Sequence, residues 1–317
     1  MARDVAEGSI VSFLVAEDVA MAVAAGRPVV ALETSVIGQG LPHPENRACA
    51  SSMSAAIEEA GAVPAWTAVL DGAVRVGLQP AELARFFEPG AATKVARRDV
   101  PLAVAAGSLG ATTVSATIWA AHRAGIDVAA TGGIGGVHPA HGPHPGPDVS
   151  ADLLELARTP VLLVCSGPKS IVDPSATAER LEELGVAVVG YGVNRLPFFL
   201  TREADVALEH RVDGPGEAAA LLLALRSLDG VAAILLCNPI AADVAIDRDE
   251  LLAATSRAER RMEQEGVSGK AVTPFLLAAL AEETAGRSLA ANLTLLEDNA
   301  RLAGLVAAAF SGARSAR

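Results

Sequence analysis

Short apolar runs of strand length, each followed by a stretch with helical spacing, recur along most of the 317-residue chain. This alternation restricts the fold more than any other feature. The runs at residues 28–32, 66–70, 128–130, 161–165, 186–189 and 232–236 carry no regular polar face, so they read as strands covered on both sides. Helical patterns lie between them at residues 45–60, 113–124, 151–157, 176–184 and 217–228, several bounded by Pro or Gly. Together they predict an α/β fold, a three-layer α/β/α sandwich on a largely parallel sheet. Asp71-Gly72 has the composition of a tight hairpin turn, which adds an antiparallel pair and makes the sheet mixed. Residues 249–309 are almost wholly helical in pattern, with breaks at 266–274 and near 286, and predict a helical C-terminal region capping the sheet. With no internal repeat or long linker, residues 1–317 are expected to form a single domain.

Composition narrows the function. Hydrophobic residues make up 51% of the chain, but Gly, Pro or charge interrupts them well short of the ~20 residues that a membrane helix needs, so no membrane partner is expected. Arg3, Asp4, Glu7, Glu17 and Asp18 break the pattern of a signal peptide. Cys49, Cys165 and Cys237 are far apart and lack CxxC spacing, which argues against a disulfide framework or structural zinc. A cytoplasmic location is expected. A net charge of -12 and only 3% aromatic residues disfavour nucleic acid, whose binding needs clustered cations and stacking platforms. Small anions remain eligible, because a few cations or a helix N-terminus can hold them.

Five segments carry candidate chemistry. Glu33 closes an apolar strand and precedes a Gly- and Pro-rich loop; a carboxylate there reaches the crevice where open α/β sheets bind ligands, a solvated strand end being the alternative. Lys94-Val95-Ala96-Arg97-Arg98-Asp99 precedes Gly107-Ser108-Leu109-Gly110-Ala111-Thr112-Thr113, a combination of cations, hydroxyls and a helix start that suits a phosphate, or else a solvated charge run. Thr131-Gly132-Gly133-Ile134-Gly135-Gly136-Val137-His138 permits close backbone approach or positive φ, but it is no dinucleotide fingerprint. In the stretch from His138 through His141 and His144 to Asp148-Val149-Ser150-Ala151-Asp152, Asp148 is the best candidate for a hard divalent ion. Ser150 reads as a helix N-cap. Finally, Ser166-Gly167-Pro168-Lys169-Ser170 follows a buried strand, where desolvation favours the neutral amine that a Schiff-base lysine needs. Cys165 reads as a buried strand residue, with no catalytic His indicated beside it.

The blocks VALETS, PAWTAVLDGAVRVGL, KVARRDVP, GATTVSAT, ATGGIGGVH, DVSADLLELA, VCSGPKSIVD, GYGVNRLPFF, NPI, GKAVTPFLL and NLTLLEDNA occur in one order. With them the chain resembles the pseudouridine-5'-phosphate glycosidase family, also known through the indigoidine synthase A-like proteins, over residues 28–309. The resemblance implies reversible cleavage of the C–C glycosidic bond of pseudouridine 5'-phosphate to uracil and ribose 5-phosphate, through a lysine–ribose imine. It implies Lys169 as nucleophile, Glu33 as acid and base, and Asp148 as ligand of one Mn²⁺ per subunit. Substrate contacts fall on Lys94, Val114, Ser150, Ala151 and Asp152, with Thr131, His138, Asn292 and Asn299 added by position. A homotrimer is also implied. The stretch from His138 to Asp148 is longer and richer in Pro and Gly than the family's, which leaves His141 and His144 without a role. Two other readings remain: a related sugar-phosphate lyase or N-glycosidase of a secondary-metabolite pathway, and a non-catalytic sugar-phosphate binder.

Overall fold

The computed structural model describes residues 12–139, 148–267 and 272–315; His141 and His144 lie outside them. In chain order the first part runs β1 (Phe13–Val15), α1 (Glu17–Ala24), β2 (Val29–Glu33), a π-helical turn at Val36–Gly40, α2 (Glu45–Glu59), β3 (Val63–Leu70), β4 (Ala73–Val76) and α3 (Pro80–Ala84). Then come β5 (Thr93–Val95), α4 (Val100–Ala105), β6 (Gly110–Thr112), α5 (Val114–Arg123), β7 (Val128–Ala130), α6 (Ala151–Leu156), β8 (Leu162–Cys165) and α7 (Pro174–Glu183). The last part is β9 (Ala187–Tyr191), β10 (His210–Val212), α8 (Pro215–Ser227), β11 (Ile234–Cys237), α9 (Arg248–Glu265), α10 (Val272–Glu283) and α11 (Arg287–Ser315).

The eleven strands among the described residues belong to one sheet, ordered β1-β4-β3-β2-β7-β8-β11-β9-β10, with β6 on β3 and β5 on β6. From β3 to β10 along this order every pair is parallel. The hairpin expected at Asp71-Gly72 is present: both residues have positive φ, 51° and 77°, and β3 pairs antiparallel with β4. The expected strands all form. Those absent from the sequence reading are β1, β5, β6 and β10, three residues each, too short for a period to register and in part polar, as in Thr-Lys-Val and His-Arg-Val.

The unbroken apolar character of the central strands follows from burial on two sides. In β2, Val30 and Leu32 join the core beneath α2, α8 and α11, while Val29 and Ala31 join the core against α1, α5, α6 and α7. Each fully buried Val or Leu contributes roughly 1.5–3 kcal/mol, so apolar residues dominate both faces, and the buried polar exceptions Glu33 and Thr67 are hydrogen-bonded. The C-terminal helices form as expected, with breaks after Glu265 and Glu283. They divide unequally: α11 packs along the main core, whereas α9 and α10 reach it only through Leu251, Ala254 and Leu280 among its fully buried residues and also share a small satellite core of Ala258, Met262, Leu276 and Ala279 with Ile171 and Val172.

Candidate active site

Three neighbouring parallel strands, β2, β7 and β8, end along one edge of the sheet. Their last residues or first loop residues are Glu33, Thr131 and the turn leading to Lys169. That edge opens into a cavity of about 300 Å³, lined by all three. Parallel strands place their carboxyl ends together, so residues distant in sequence meet without any local motif.

Glu33 is only 2% exposed. One carboxylate oxygen accepts from the Ser35 hydroxyl at 2.5 Å, and the other accepts from the Thr131 hydroxyl. Lys169 is half-buried, and its ammonium has no ion-pair or hydrogen-bond partner among the described residues. Its loop is fastened to the Gly-rich loop by backbone bonds: Ser166 N–H to Gly132 O at 2.7 Å, Ile134 N–H to Gly167 O at 3.1 Å, and Lys169 N–H to Ile134 O at 3.0 Å. Gly167 has φ +79°, and a Cβ there would overlap the Pro197 carbonyl. No other residue fits at that turn. In the Gly-rich loop the requirement is close approach rather than positive φ: a Cβ on Gly133 would lie 2.8 Å from Phe199, and one on Gly136 2.9 Å from Val172.

The facing wall comes from the antiparallel part of the sheet. β6 runs down β3 to Thr112, opposite Thr67 across the junction, and β5 beside it brings Lys94 to the cavity. The α5 N-terminus presents Thr113 and Val114 there. The basic cluster divides: Lys94 and Arg98 line the cavity, while the Arg97 guanidinium lies 4.1 Å over the Trp119 ring. Of the 107–113 segment only Thr113 reaches the cavity lining. Asp152, 6% exposed, accepts from Ser115 N–H at 3.1 Å and Gly135 N–H at 3.0 Å, joining α5, α6 and the Gly-rich loop. Ser150 caps α6, its hydroxyl accepting from Asp152 N–H at 3.2 Å. Asp148 is exposed at the mouth, and its carbonyl accepts from His138 N–H at 2.8 Å. The remaining wall is apolar: Phe199, Leu296, Ile171, Val172, Val272 and Leu277.

The structure therefore brings together Glu33, Lys94, Val114, Thr131, His138, Asp148, Ser150, Ala151, Asp152, Lys169 and Asn292 around one cavity. Asn299 is not in that lining; it is fully buried beneath it. Sequence reasoning missed Ser35, whose only signal is its position two residues after Glu33, and the buried cluster of Thr34, Thr67, Thr112 and Thr117. These hydroxyls bond one another and the Thr67 carbonyl where the parallel and antiparallel parts of the sheet join. Cys165 is buried in β8 opposite Cys237. A hydrogen bond with Cys165, and then burial, hold the Cys237 thiol well above the usual range, so it stays protonated.

Among the described residues no three His, Cys, Asp or Glu side chains converge as metal ligands. A donor set of one carboxylate does not suit zinc. It fits a hard divalent ion whose other positions are filled by water and substrate oxygens. Asp148 is the residue that would hold it.

The family model of indigoidine synthase A like protein matches residues 18–309 of the chain. A pseudouridine-5'-phosphate glycosidase of Herpetosiphon aurantiacus is 48% identical over 297 residues, 94% of this chain and 97% of the relative. One from Methylobacterium nodulans is 46% identical over 300 residues, covering 95% and 88%. Among solved structures, the prealnumycin C-glycosynthase AlnA in complex with ribulose 5-phosphate has a TM-score of 0.86 at 40% identity, covering 96% of this chain and 99% of that one. An indigoidine synthase A-like protein of Thermotoga maritima also has a TM-score of 0.86, at 36% identity, covering 96% and 98%.

Proposed function

The chain belongs to the indigoidine synthase A-like family, and we propose that it is a pseudouridine-5'-phosphate glycosidase, cleaving the C–C glycosidic bond to give uracil and ribose 5-phosphate. The observation that carries the reading is the meeting of Glu33 and Lys169 in one cavity, in a chain 46–48% identical to relatives named for that activity.

The residue types suit the bond. A carbon leaving group is poorly served by two carboxylates and an oxocarbenium ion. A lysine offers another route. The neutral Lys169 amine attacks C1' of the ribose; an N–C1' bond forms as the C1'–O4' bond breaks, and O4' takes a proton from Glu33. The nitrogen lone pair then forms the C1'=N imine as the C1'–C5 bond breaks, its electrons passing into the uracil ring. The two protons that the amine loses in becoming the imine pass by way of Glu33 to O4' and to C5, and water adds to the imine to release ribose 5-phosphate and regenerate the amine. No oxidant is needed, and water is the sole co-reactant. Glu33, held by two hydroxyls, serves as the proton carrier. Lys94, Arg98 and the α5 N-terminus supply the positive side of the cavity for the phosphate.

In this reading Asp148 would hold Mn²⁺, which would supply positive charge towards substrate oxygens. The enzyme works as a cytoplasmic homotrimer, a reading that rests on the family resemblance of the sequence. Among the described residues no helix is long and apolar enough to cross a membrane.

A second reading has a specific basis in the likeness to the C-glycosynthase: the same lysine and phosphate site would join or part a pentose phosphate and a carbon partner other than uracil, held against the apolar wall. The test is incubation of the purified protein with Mn²⁺ and pseudouridine 5'-phosphate. Release of uracil and ribose 5-phosphate in equal amounts is expected. Folded protein that releases neither would overturn the uracil assignment in favour of the second reading.

A further inference from the structure

Asn299 lies on α11 with no exposed surface, beneath the cavity rather than in its lining. Its side-chain amide makes every bond open to it. The Nδ2 group donates to Thr131 O at 2.9 Å, with longer contacts to Gly132 O at 3.3 Å and a 3.0 Å bond to the Ser166 hydroxyl. The Oδ1 atom accepts from Asn238 Nδ2 at 3.0 Å and faces the Ser166 hydroxyl at 3.4 Å. These partners lie at the carboxyl ends of β7, β8 and β11, three adjacent parallel strands.

Two of those ends carry the proposed chemistry. Thr131 donates through its hydroxyl to Glu33 while its carbonyl is held by Asn299. Ser166 begins the turn that delivers Lys169, and its N–H is bonded to Gly132 O, itself an Asn299 partner. One buried amide thus touches the support of the acid and the support of the nucleophile. A hydrophobic side chain of similar size would satisfy the packing of α11, so packing alone does not call for Asn. The two loops start from separate strands, and only cross-links between them fix the span from Glu33 to Lys169.

We propose that Asn299 is a positioning residue, which sets the reach of Lys169 relative to Glu33 by tying the ends of β7, β8 and β11 together. The inference rests on the reading of Lys169 as the imine-forming residue. Misplacing a reacting group by about 1 Å can cost about 100-fold in rate, so the effect falls on kcat. Substrate recognition through Lys94 and the α5 N-terminus lies on the facing wall, and KM is left nearly unchanged.

The test compares Asn299→Asp and Asn238→Ala with the wild type and with Leu302→Ala, a core substitution on the same helix. Asn299→Asp keeps the shape but turns the donors into acceptors facing carbonyls. Asn238→Ala removes only the bond that orients the amide, and it covers the case in which Asn299→Asp does not fold. Two quantities are read: kcat and KM for uracil release, and the rate at which borohydride traps ribose 5-phosphate on Lys169. Expected are a loss of about 100-fold in kcat and a matching loss in trapping rate for Asn299→Asp, with a smaller loss in both for Asn238→Ala. KM should stay within about threefold, and Leu302→Ala should lower the melting temperature with little change in kcat. Unchanged kcat in both Asn variants, or losses that merely follow melting temperature as in Leu302→Ala, would overturn the positioning role. Wild-type protein that releases uracil without trapping on Lys169 would instead overturn the imine reading, and this inference with it.

Discussion

Glu33 has both carboxylate oxygens engaged by hydroxyls, from Ser35 and Thr131, and little contact with solvent. Glu33→Gln keeps the volume and one acceptor but cannot carry the proton. Uracil release by this variant should fall by about 10²–10⁴-fold, with circular dichroism and melting temperature close to the wild type. Activity within a few-fold of wild type would assign the proton to another group. On α11, burial, then Glu297, push the Asp298 carboxyl above its ordinary range, with Arg301 opposing and Asp243 adding. The folded state then binds this proton more tightly than the unfolded chain, so stability falls as pH rises from the ordinary aspartate value of 3.8 through the raised folded value. Asp298→Asn should therefore raise the melting temperature at neutral pH, and the gain should vanish towards pH 3.8; a gain that persists at the acid end would point to a cause other than this titration. Residues of this kind were legible in the sequence to different degrees. Glu33 closes an apolar strand and Lys169 follows the turn after another, and both announce themselves by place. Arg97 could not be separated from Lys94 and Arg98 by sequence, because its departure depends on a ring, Trp119, that folding brings within 4.1 Å.

At the scale of elements, the site depends on turns that only particular residues permit. Gly167 combines positive φ with a space already filled by the Pro197 carbonyl. Gly167→Ala should cost at least about 1–3 kcal/mol for the backbone conformation, and the overlap with Pro197 should shift Lys169. Chemical denaturation should show the loss of stability, and uracil release should fall further than that loss explains; a variant as stable and active as the wild type would mean that the turn relaxes freely. The central strands and long helices were readable because two-sided burial erases polar positions and helix spacing persists over several turns. β5 and β6 were not readable. Each has three residues, and their pairing is dictated by the overhang of β3 beyond β2 rather than by their own composition. Yet they carry Lys94 to the cavity and lead into α5, so the wall holding the phosphate candidates depends on elements without a sequence signature.

Across the whole molecule, the sheet acts as a frame that converts chain order into a spatial order. Acid, hydroxyl and lysine come from strands β2, β7 and β8, adjacent in the sheet though spread from residue 33 to residue 169, and α11 closes beneath them with Asn299. The ordered blocks of sequence were sufficient to identify the family, and those holding Glu33, Thr131 and Lys169 lie where β2, β7 and β8 end, at one edge of the sheet. They could not show that Asn299 lies under the cavity, because burial of a polar residue on a helix depends on which strands it crosses. The central claim is that Lys169 forms the bond to ribose. Its most direct test is peptide mass spectrometry of the Mn²⁺-loaded protein after reaction with pseudouridine 5'-phosphate and borohydride. A pentose phosphate carried by the peptide containing Lys169, and absent from Lys169→Ala, is the expected result; uracil release with no adduct, or with the adduct on another lysine, would contradict it.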